Sequence, residues 1–225
     1  MSDFILQAVG VDREVEGPSG RLTILQDIDL GIAAGSATVI SGPSGSGKST
    51  LIGLLAGLDL PTRGQIFFRG NEITALDEDQ RARLRAGQVG FVFQSFYLME
   101  SLTALENVML PLELAAAADA RLQARQWLCE VGLGQRLHHY PRQLSGGEQQ
   151  RVAIARGFAV EPAVLFADEP TGNLDREAAS QIKELLFSLQ AEQNTSLVLV
   201  THDLGLAEQC QRRLRLENGR IVEQH

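Results

Sequence analysis

Eight consecutive residues carry the densest chemistry in the chain: Gly42, Pro43, Ser44, Gly45, Ser46, Gly47, Lys48 and Ser49. They satisfy G-x-x-x-x-G-K-[ST] at every fixed position. The glycines let the backbone turn so that successive N–H groups point inward at an anion. A helix predicted to open at Lys48 adds the partial positive charge of its N-terminus. The pattern therefore points to a nucleotide held by its phosphates. Lys48 is expected to reach the β- and γ-phosphates, Ser49 to place its hydroxyl on Mg²⁺, and Thr50 to help hold the α-phosphate.

A second constellation is Val164-Leu165-Phe166-Ala167-Asp168-Glu169, an apolar run ending in two carboxylates. At the C-terminal end of a strand such acids lie where open α/β sheets bind ligands. The first, Asp168, is expected near Mg²⁺. The second, Glu169, is expected to accept a proton from an attacking water or to polarise it. A solvated Asp-Glu pair at a loop start is the plainer reading, and it loses weight beside the phosphate loop.

The third is Leu144-Ser145-Gly146-Gly147-Glu148-Gln149-Gln150-Arg151. Ser145 is a predicted N-cap, and Glu148 three residues on completes a capping box. Ser145, Gly146 and Gly147 thus open a helix with little side-chain bulk, a second ready-made phosphate site. One nucleotide has one γ-phosphate, already cradled by the first loop. A second anion-binding helix end implies closure on a nucleotide bound to another copy, hence an ATP-dependent homodimer with composite sites.

Positioning these groups takes an α/β frame. Strands are predicted over Phe4 to Val11, Leu22 to Ile32, Ala37 to Ser41, Gln65 to Phe68, Val89 to Phe93, Ala163 to Ala167 and Ser196 to Val200. A helix is predicted from Lys48 to about Gly57, and a turn at Glu16 to Gly20. From about Thr103 to Gly157 the pattern is helical, including the alanine-rich Leu114 to Ala120 and the periodic Leu122 to Val131. Ile182, Leu185, Leu186 and Leu189 share one face of a later helix. The chain is predicted to end in a hairpin around Glu217-Asn218-Gly219. The sum is an α/β core with a helical insertion hinged near Gln94 and Gly157.

The net charge of −8 argues against a partner held by phosphate neutralisation, so no nucleic acid is expected. No apolar run reaches the roughly 20 residues that span a bilayer, and the start of the chain lacks the pattern of a secretory signal. A cytoplasmic protein is the expectation. Cys129 and Cys210 match no metal or redox spacing and are expected to be buried. Trp127 is expected in the core, and Arg81, Arg83 and Arg85 on a solvated helix face.

Together the three motifs, in this order and spacing, resemble the ATPase subunits of ABC transporters over essentially the whole chain. Gly42–Ser49 resembles the family's Walker A, Leu144–Arg151 its signature motif and Val164–Glu169 its Walker B. Gln94 after Val92-Phe93 resembles the Q-loop glutamine, Asn173-Leu174-Asp175 the D-loop, and His202 the switch histidine. The stretches Val89–Phe96 and Asp168–Asp175 are similar to the subgroup of lipoprotein-releasing and macrolide-exporting ATPases.

The resemblance implies a fold, α/β with a P-loop NTPase (RecA-like) core, an N-terminal antiparallel β subdomain and an inserted α-helical subdomain. It implies one domain over 1–225, with about 1–94 and 157–225 as the catalytic core and about 95–156 as the helical signature subdomain. It implies ATP hydrolysis with Mg²⁺ held by Ser49, Gln94 and Asp168, and catalysis by Glu169, His202, Lys48 and Gln94. Gln94 would contact Mg²⁺ and the attacking water. His202 would hold the γ-phosphate and orient Glu169. Ser145, Gly146, Gly147 and Asp175 would act on the nucleotide of the opposite subunit. The implied partner is an FtsX/MacB-like transmembrane permease docking around Gln94–Pro111, which puts the chain peripherally on the cytoplasmic face of the inner membrane.

One position departs from the pattern. Where the family usually has an aromatic residue to stack on adenine, this chain has Val15. Weaker adenine affinity and looser ATP-over-GTP selectivity follow. Three other readings compete. A non-transport ATPase of the same family, in DNA repair, chromosome organisation or translation, would call for a long coiled coil, zinc modules or tandem cassettes, and none is visible. A GTPase or small-molecule kinase would need a guanine-reading Asn-Lys-x-Asp, which is absent, or an acceptor site, and would leave the signature motif unexplained. A divisome regulator would share every catalytic residue and differ only in output.

Overall fold

The computed structural model describes residues 4–17 and 20–224. The chain divides into two compact units, one of residues 1–85 with 196–225 and the other of residues 86–195.

In the first unit, two 14-residue strands, β1 (Phe4–Gly17) and β2 (Gly20–Ala33), pair antiparallel. Strand β4 (Arg63–Phe68) pairs with β1, and the short β5 (Asn71–Glu72) with β4. Both long strands outrun their predicted spans. Their outer halves alternate less cleanly, and cross-strand pairing rather than burial carries them. Pro18 and Ser19 of the predicted turn lie outside the described residues.

The same unit holds a second set of strands, in the order β10–β9–β3–β8. Strand β3 (Ala37–Ser41) has four buried residues out of five and runs parallel to β8 (Ser196–Val200) and β9 (Arg212–Glu217). Such continuous burial is what the near-continuous apolar runs of both β3 and β8 encode. Strand β10 (Arg220–Gln224) closes the predicted hairpin through Asn218 (φ 47°) and Gly219 (φ 75°). Two successive left-handed residues are what a type I′ turn requires. Helix α1 (Lys48–Leu55) follows β3, and α7 (Leu204–Gln209) follows β8.

In the second unit, β6 (Val89–Phe93) and β7 (Val164–Asp168) pair in parallel. Helices α3 (Ala104–Leu114), α4 (Ala120–Glu130), α5 (Gly146–Phe158) and α6 (Arg176–Glu192) complete it. Helix α5 lies so close to β6 that a Cβ on Gly90 would fall 2.2 Å from the carbonyl oxygen of Gly157. The core of this unit includes Val108, Leu112, Leu128, Val152, Ile154, Phe158 and Leu186. The predicted face of α6 is present, with Ile182, Leu186 and Leu189 buried and Leu185 half-buried.

Four expectations are corrected. The alanine-rich Leu114 to Ala120 is not one helix. It turns between α3 and α4, with Ala116 and Asp119 left-handed (φ 53° and 54°), so that the two helices can pack against each other. Arg81, on α2 (Glu78–Gln88), is 8% exposed rather than solvated. It donates to the Leu76 carbonyl and to Glu78, while Arg85 donates to the Gly57 carbonyl and to Glu78. Cys129 is exposed, whereas Cys210 is buried as expected. Burial pushes the Cys210 thiol up to about 12, which leaves it unreactive. Trp127 is half-buried, its ring stacked on Phe158 with centroids 6.1 Å apart.

Candidate functional site

The site is built from strand ends. In the first unit, β3 and β8 are parallel neighbours with Ile40 opposite Val200. Both therefore release their chains at the same edge: β3 into Gly42–Gly47 and β8 into Thr201-His202-Asp203. The loop after β3 needs its glycines. Gly42 has φ 146°, and a Cβ there would lie 2.1 Å from the Leu216 carbonyl oxygen. Gly47 has φ 102° and is the N-cap of α1, leaving that helix without a side-chain cap. Uncapped N–H groups at a helix start are what an anion accepts from.

Lys48 is buried, and its Nζ donates to the carbonyls of Gly42 (2.8 Å) and Pro43 (2.9 Å). The ammonium is thus folded over the loop at the place its charge would meet phosphate oxygens. Ser46 is 4% exposed, and its Oγ is buried without a hydrogen-bond partner among the described residues. An orphaned hydroxyl inside a ring of left-handed glycines fits a phosphate-bearing ligand. His202 is exposed at the same edge. The Asp203 carboxylate after it caps α7 by accepting from Gly205 and Leu206 N–H groups.

In the second unit, Phe93 stands opposite Asp168 in the β6–β7 register. Gln94 and Glu169 therefore leave neighbouring strands at one edge. Glu169 is left-handed (φ 46°), and its carbonyl accepts from the Gly172 N–H at 3.0 Å. A left-handed glutamate costs of order 1–2 kcal/mol. Gln150, fully buried on α5, holds the next residue by donating to the Pro170 carbonyl at 2.7 Å. Gln94 and Asn173 exchange two hydrogen bonds, Nε2 to Asn173 Oδ1 and Asn173 Nδ2 to the Gln94 carbonyl, both 3.0 Å.

The capping box at the start of α5 is formed as predicted. Ser145 Oγ accepts from the Glu148 N–H (3.2 Å), and Glu148 accepts from the Ser145 N–H (2.8 Å). That backbone hydrogen bond, with help from Arg136, holds the Glu148 carboxyl below the usual glutamate range. Asp175 caps α6 by accepting from Ala178 N–H at 2.9 Å. Ser145, Gly146, Gly147 and Asp175 line one cleft of about 460 Å³ together with Asn173 and Arg151.

The loop after Gln94 is exposed and braced. Tyr97 and Met99 are 66% and 50% exposed. Arg156 donates to the Phe96 and Tyr97 carbonyls. Asn107, fully buried, accepts from Met99 N–H and donates to the carbonyls of Met99, Leu102 and Thr103. Sequence reasoning passed over the bracing roles of Asn107, Gln150 and Arg156. Only a buried-polar pattern on an otherwise apolar helix face could have flagged the first two.

A glycine-lined anion loop at a parallel strand edge in the first unit, and in the second a strand that ends in two acids, define a P-loop nucleotide hydrolase. The ABC transporter family profile matches residues 25–172, and the chain belongs to that family. It is 53% identical over 225 residues to the ABC transporter ATP-binding protein YbbA of Escherichia coli K12, covering 99% of both chains. It is 47% identical over 224 residues to the lipoprotein-releasing system ATP-binding protein LolD of Hydrogenovibrio crunogenus, covering 99% of this chain and 97% of that one. A dimeric ATP-binding cassette solved in a post-hydrolysis state with ADP and Pi superposes with a TM-score of 0.91 at 37% identity, covering 98% of this chain and 97% of that one. The fold is accordingly the ABC-ATPase cassette: a P-loop NTPase core, an N-terminal antiparallel β subdomain and an inserted helical subdomain. The chain is the ATP-binding, ATP-hydrolysing subunit of an ABC transporter. No helix among the described residues is long and apolar enough to cross a membrane.

Proposed function

We propose that two copies of this chain close on two molecules of Mg²⁺-ATP and drive an FtsX/MacB-like permease from the cytoplasmic face of the inner membrane. The observation that carries this reading is the cleft at the start of α5, where Ser145, Gly146 and Gly147 open beside Asp175. The loop Gly42–Ser49 already supplies one uncapped helix end for the phosphates. A second helix N-terminus with little side-chain bulk, at Ser145-Gly146-Gly147, has a use when it meets the nucleotide of the second copy. The dimeric state of the solved cassette supports the same arrangement.

In this reading Gly42 through Thr50 cradle the phosphates, and Lys48 neutralises charge on the β- and γ-phosphoryl oxygens. Ser49, Asp168 and Gln94 offer the hard oxygen donors that suit Mg²⁺, which when bound neutralises charge on the phosphoryl oxygens. Glu169 takes the proton of the attacking water, with His202 on the γ-phosphate and orienting Glu169. Residues about 1–94 and 157–225 form the catalytic core, and about 95–156 the helical signature subdomain. Val15, 37% exposed and opposite Leu22 on β2, gives adenine an aliphatic surface in place of an aromatic ring. The segment Gln94–Pro111 docks the permease. Its exposed Tyr97 and Met99, on a loop braced from within by Arg156 and Asn107, suit a surface that must transmit force. The cargo is that of the permease, whose export, lipid or lipoprotein extraction, or mechanical signalling to the periplasm this ATPase would power.

The test is Glu169→Gln. The variant is expected to bind ATP, turn over very slowly and accumulate as a dimer in size-exclusion chromatography with light scattering. Adding Ser145→Glu should return it to monomer by placing a charge against the partner's phosphate. Wild-type turnover by Glu169→Gln would remove Glu169 as the base. A dimer that survives Ser145→Glu would remove the in-trans role of the α5 N-terminus.

A further inference from the structure

We propose that Asn173 is a positioning residue that sets which end of the Gln94 amide faces the nucleotide's metal ion. The argument starts from an acceptor whose chemistry is unambiguous. The Gln94 backbone carbonyl can only accept, so the Asn173 group 3.0 Å from it must be the Nδ2 donor. That leaves Asn173 Oδ1 as the atom offered to the Gln94 side chain, 3.0 Å away, and an acceptor there draws the Nε2 donor. Gln94 Oε1 is then the uncommitted end. A cation is ligated by an amide oxygen and repelled by an amide NH₂. Without Asn173 the two ends of the Gln94 amide differ little in free energy, and the wrong end faces the metal for part of the time.

The glycine before Asn173 belongs to the same device. Gly172 does not have a left-handed φ, so its backbone would accept any side chain. What excludes one is the Gln94 amide: a Cβ on Gly172 would lie 2.8 Å from Nε2 and 3.1 Å from Cδ. Gly172 leaves the slot in which the Gln94 head rests, and Asn173 fixes its orientation there. Both partners are exposed, so the clasp is bonded in competition with water and can open cheaply. It also ties the exposed loop that follows Gln94 to the turn that begins at Glu169, whose carbonyl is bonded to Gly172.

The proposal rests on the reading above in which Gln94 ligates Mg²⁺, and the experiment separates the two. ATP affinity is measured by isothermal titration calorimetry with and without Mg²⁺, in the Glu169→Gln chain, for Asn173→Ala, Gly172→Ala, both together, and Gln94→Ala. Asn173→Ala and Gly172→Ala should each cut the Mg²⁺-dependent gain in affinity by about twofold, as the correctly facing fraction falls toward one half, leaving metal-free affinity unchanged. The double variant should be no worse than either single one, since both break one clasp. Gly172→Ala displaces only the flexible end of a side chain, so it guards against misfolding. If Gln94→Ala loses the gain while the other variants keep it, the positioning role is wrong and the ligand role stands. If Gln94→Ala keeps the gain, the ligand reading itself is wrong. Additive losses in the double variant would also overturn the proposal.

Discussion

Replacing Gln150 with Met should separate catalysis from stability. Gln150 is fully buried on α5, and Nε2 donates to the carbonyl of the buried Pro170, while Oε1 has no hydrogen-bond partner among the described residues. Methionine keeps the volume and removes both polar atoms. Orphaning the Pro170 carbonyl costs about 1–3 kcal/mol, and removing a buried oxygen with no partner returns a similar amount, about 1–3 kcal/mol. The net change is expected within about 1 kcal/mol, or about 2–4 °C in Tm for a chain of this size. Catalysis should respond differently. Pro170 follows Glu169, whose left-handed backbone is held against a cost of order 1–2 kcal/mol by its surroundings. With the tether gone the turn relaxes, and kcat should fall about tenfold, equivalent to about 1.4 kcal/mol, with KM for ATP little changed. Calorimetric melting and steady-state ATPase kinetics on the same preparation decide it. A Tm drop beyond about 6 °C would mean that Oε1 is satisfied after all. An unchanged kcat would mean that α5 does not position the Glu169 turn.

Two further outcomes follow from the same geometry. Val15→Tyr should tighten ATP binding by up to the worth of one aromatic–base stack, about 1–3 kcal/mol, and sharpen ATP-over-GTP preference; unchanged affinities for both nucleotides would show that Val15 does not face adenine. The Glu148 carboxyl titrates below its ordinary range because the Ser145 N–H, and then Arg136, favour its charged form. A depressed folded value means that the stabilisation is present above the unfolded value of about 4.3 and is lost as pH falls through the folded one. Glu148→Gln should therefore lower Tm at neutral pH and flatten its decline below about pH 5; parallel Tm curves for the two proteins would refute it.

Much of the site was legible because its signals are local. The loop Gly42–Ser49, the Ser145–Glu148 capping box and the strands β3 and β8 depend on residues adjacent in the chain, and all formed as read. Asn218-Gly219 encodes its own turn, since both residues tolerate positive φ. Local signals failed where contacts made in the fold, rather than composition, decided the outcome. Arg81 and Arg85 looked solvated by composition. Both are instead tied to backbone carbonyls, Leu76 for the first and Gly57 for the second, because a guanidinium can satisfy several orphan acceptors at once. The run Leu114 to Ala120 has good helix formers apart from Asp119, and its break at Ala116 and Asp119 comes with the packing of α3 beside α4.

The sequence by itself determined which groups are present: a glycine loop of the phosphate-binding type, two carboxylates at a strand end and a second helix opened by Ser145-Gly146-Gly147. These follow from residue types at fixed short spacings, where backbone geometry is locally dictated. Only the tertiary structure decided how the turn at Glu169 is held. Gln94 meets Asn173 across 79 positions, and Gln150 meets Pro170 across 20, with no period or motif to announce either. Such contacts arise because strand register brings Phe93 opposite Asp168 and packs α5 against β6, and register is a property of the folded sheet.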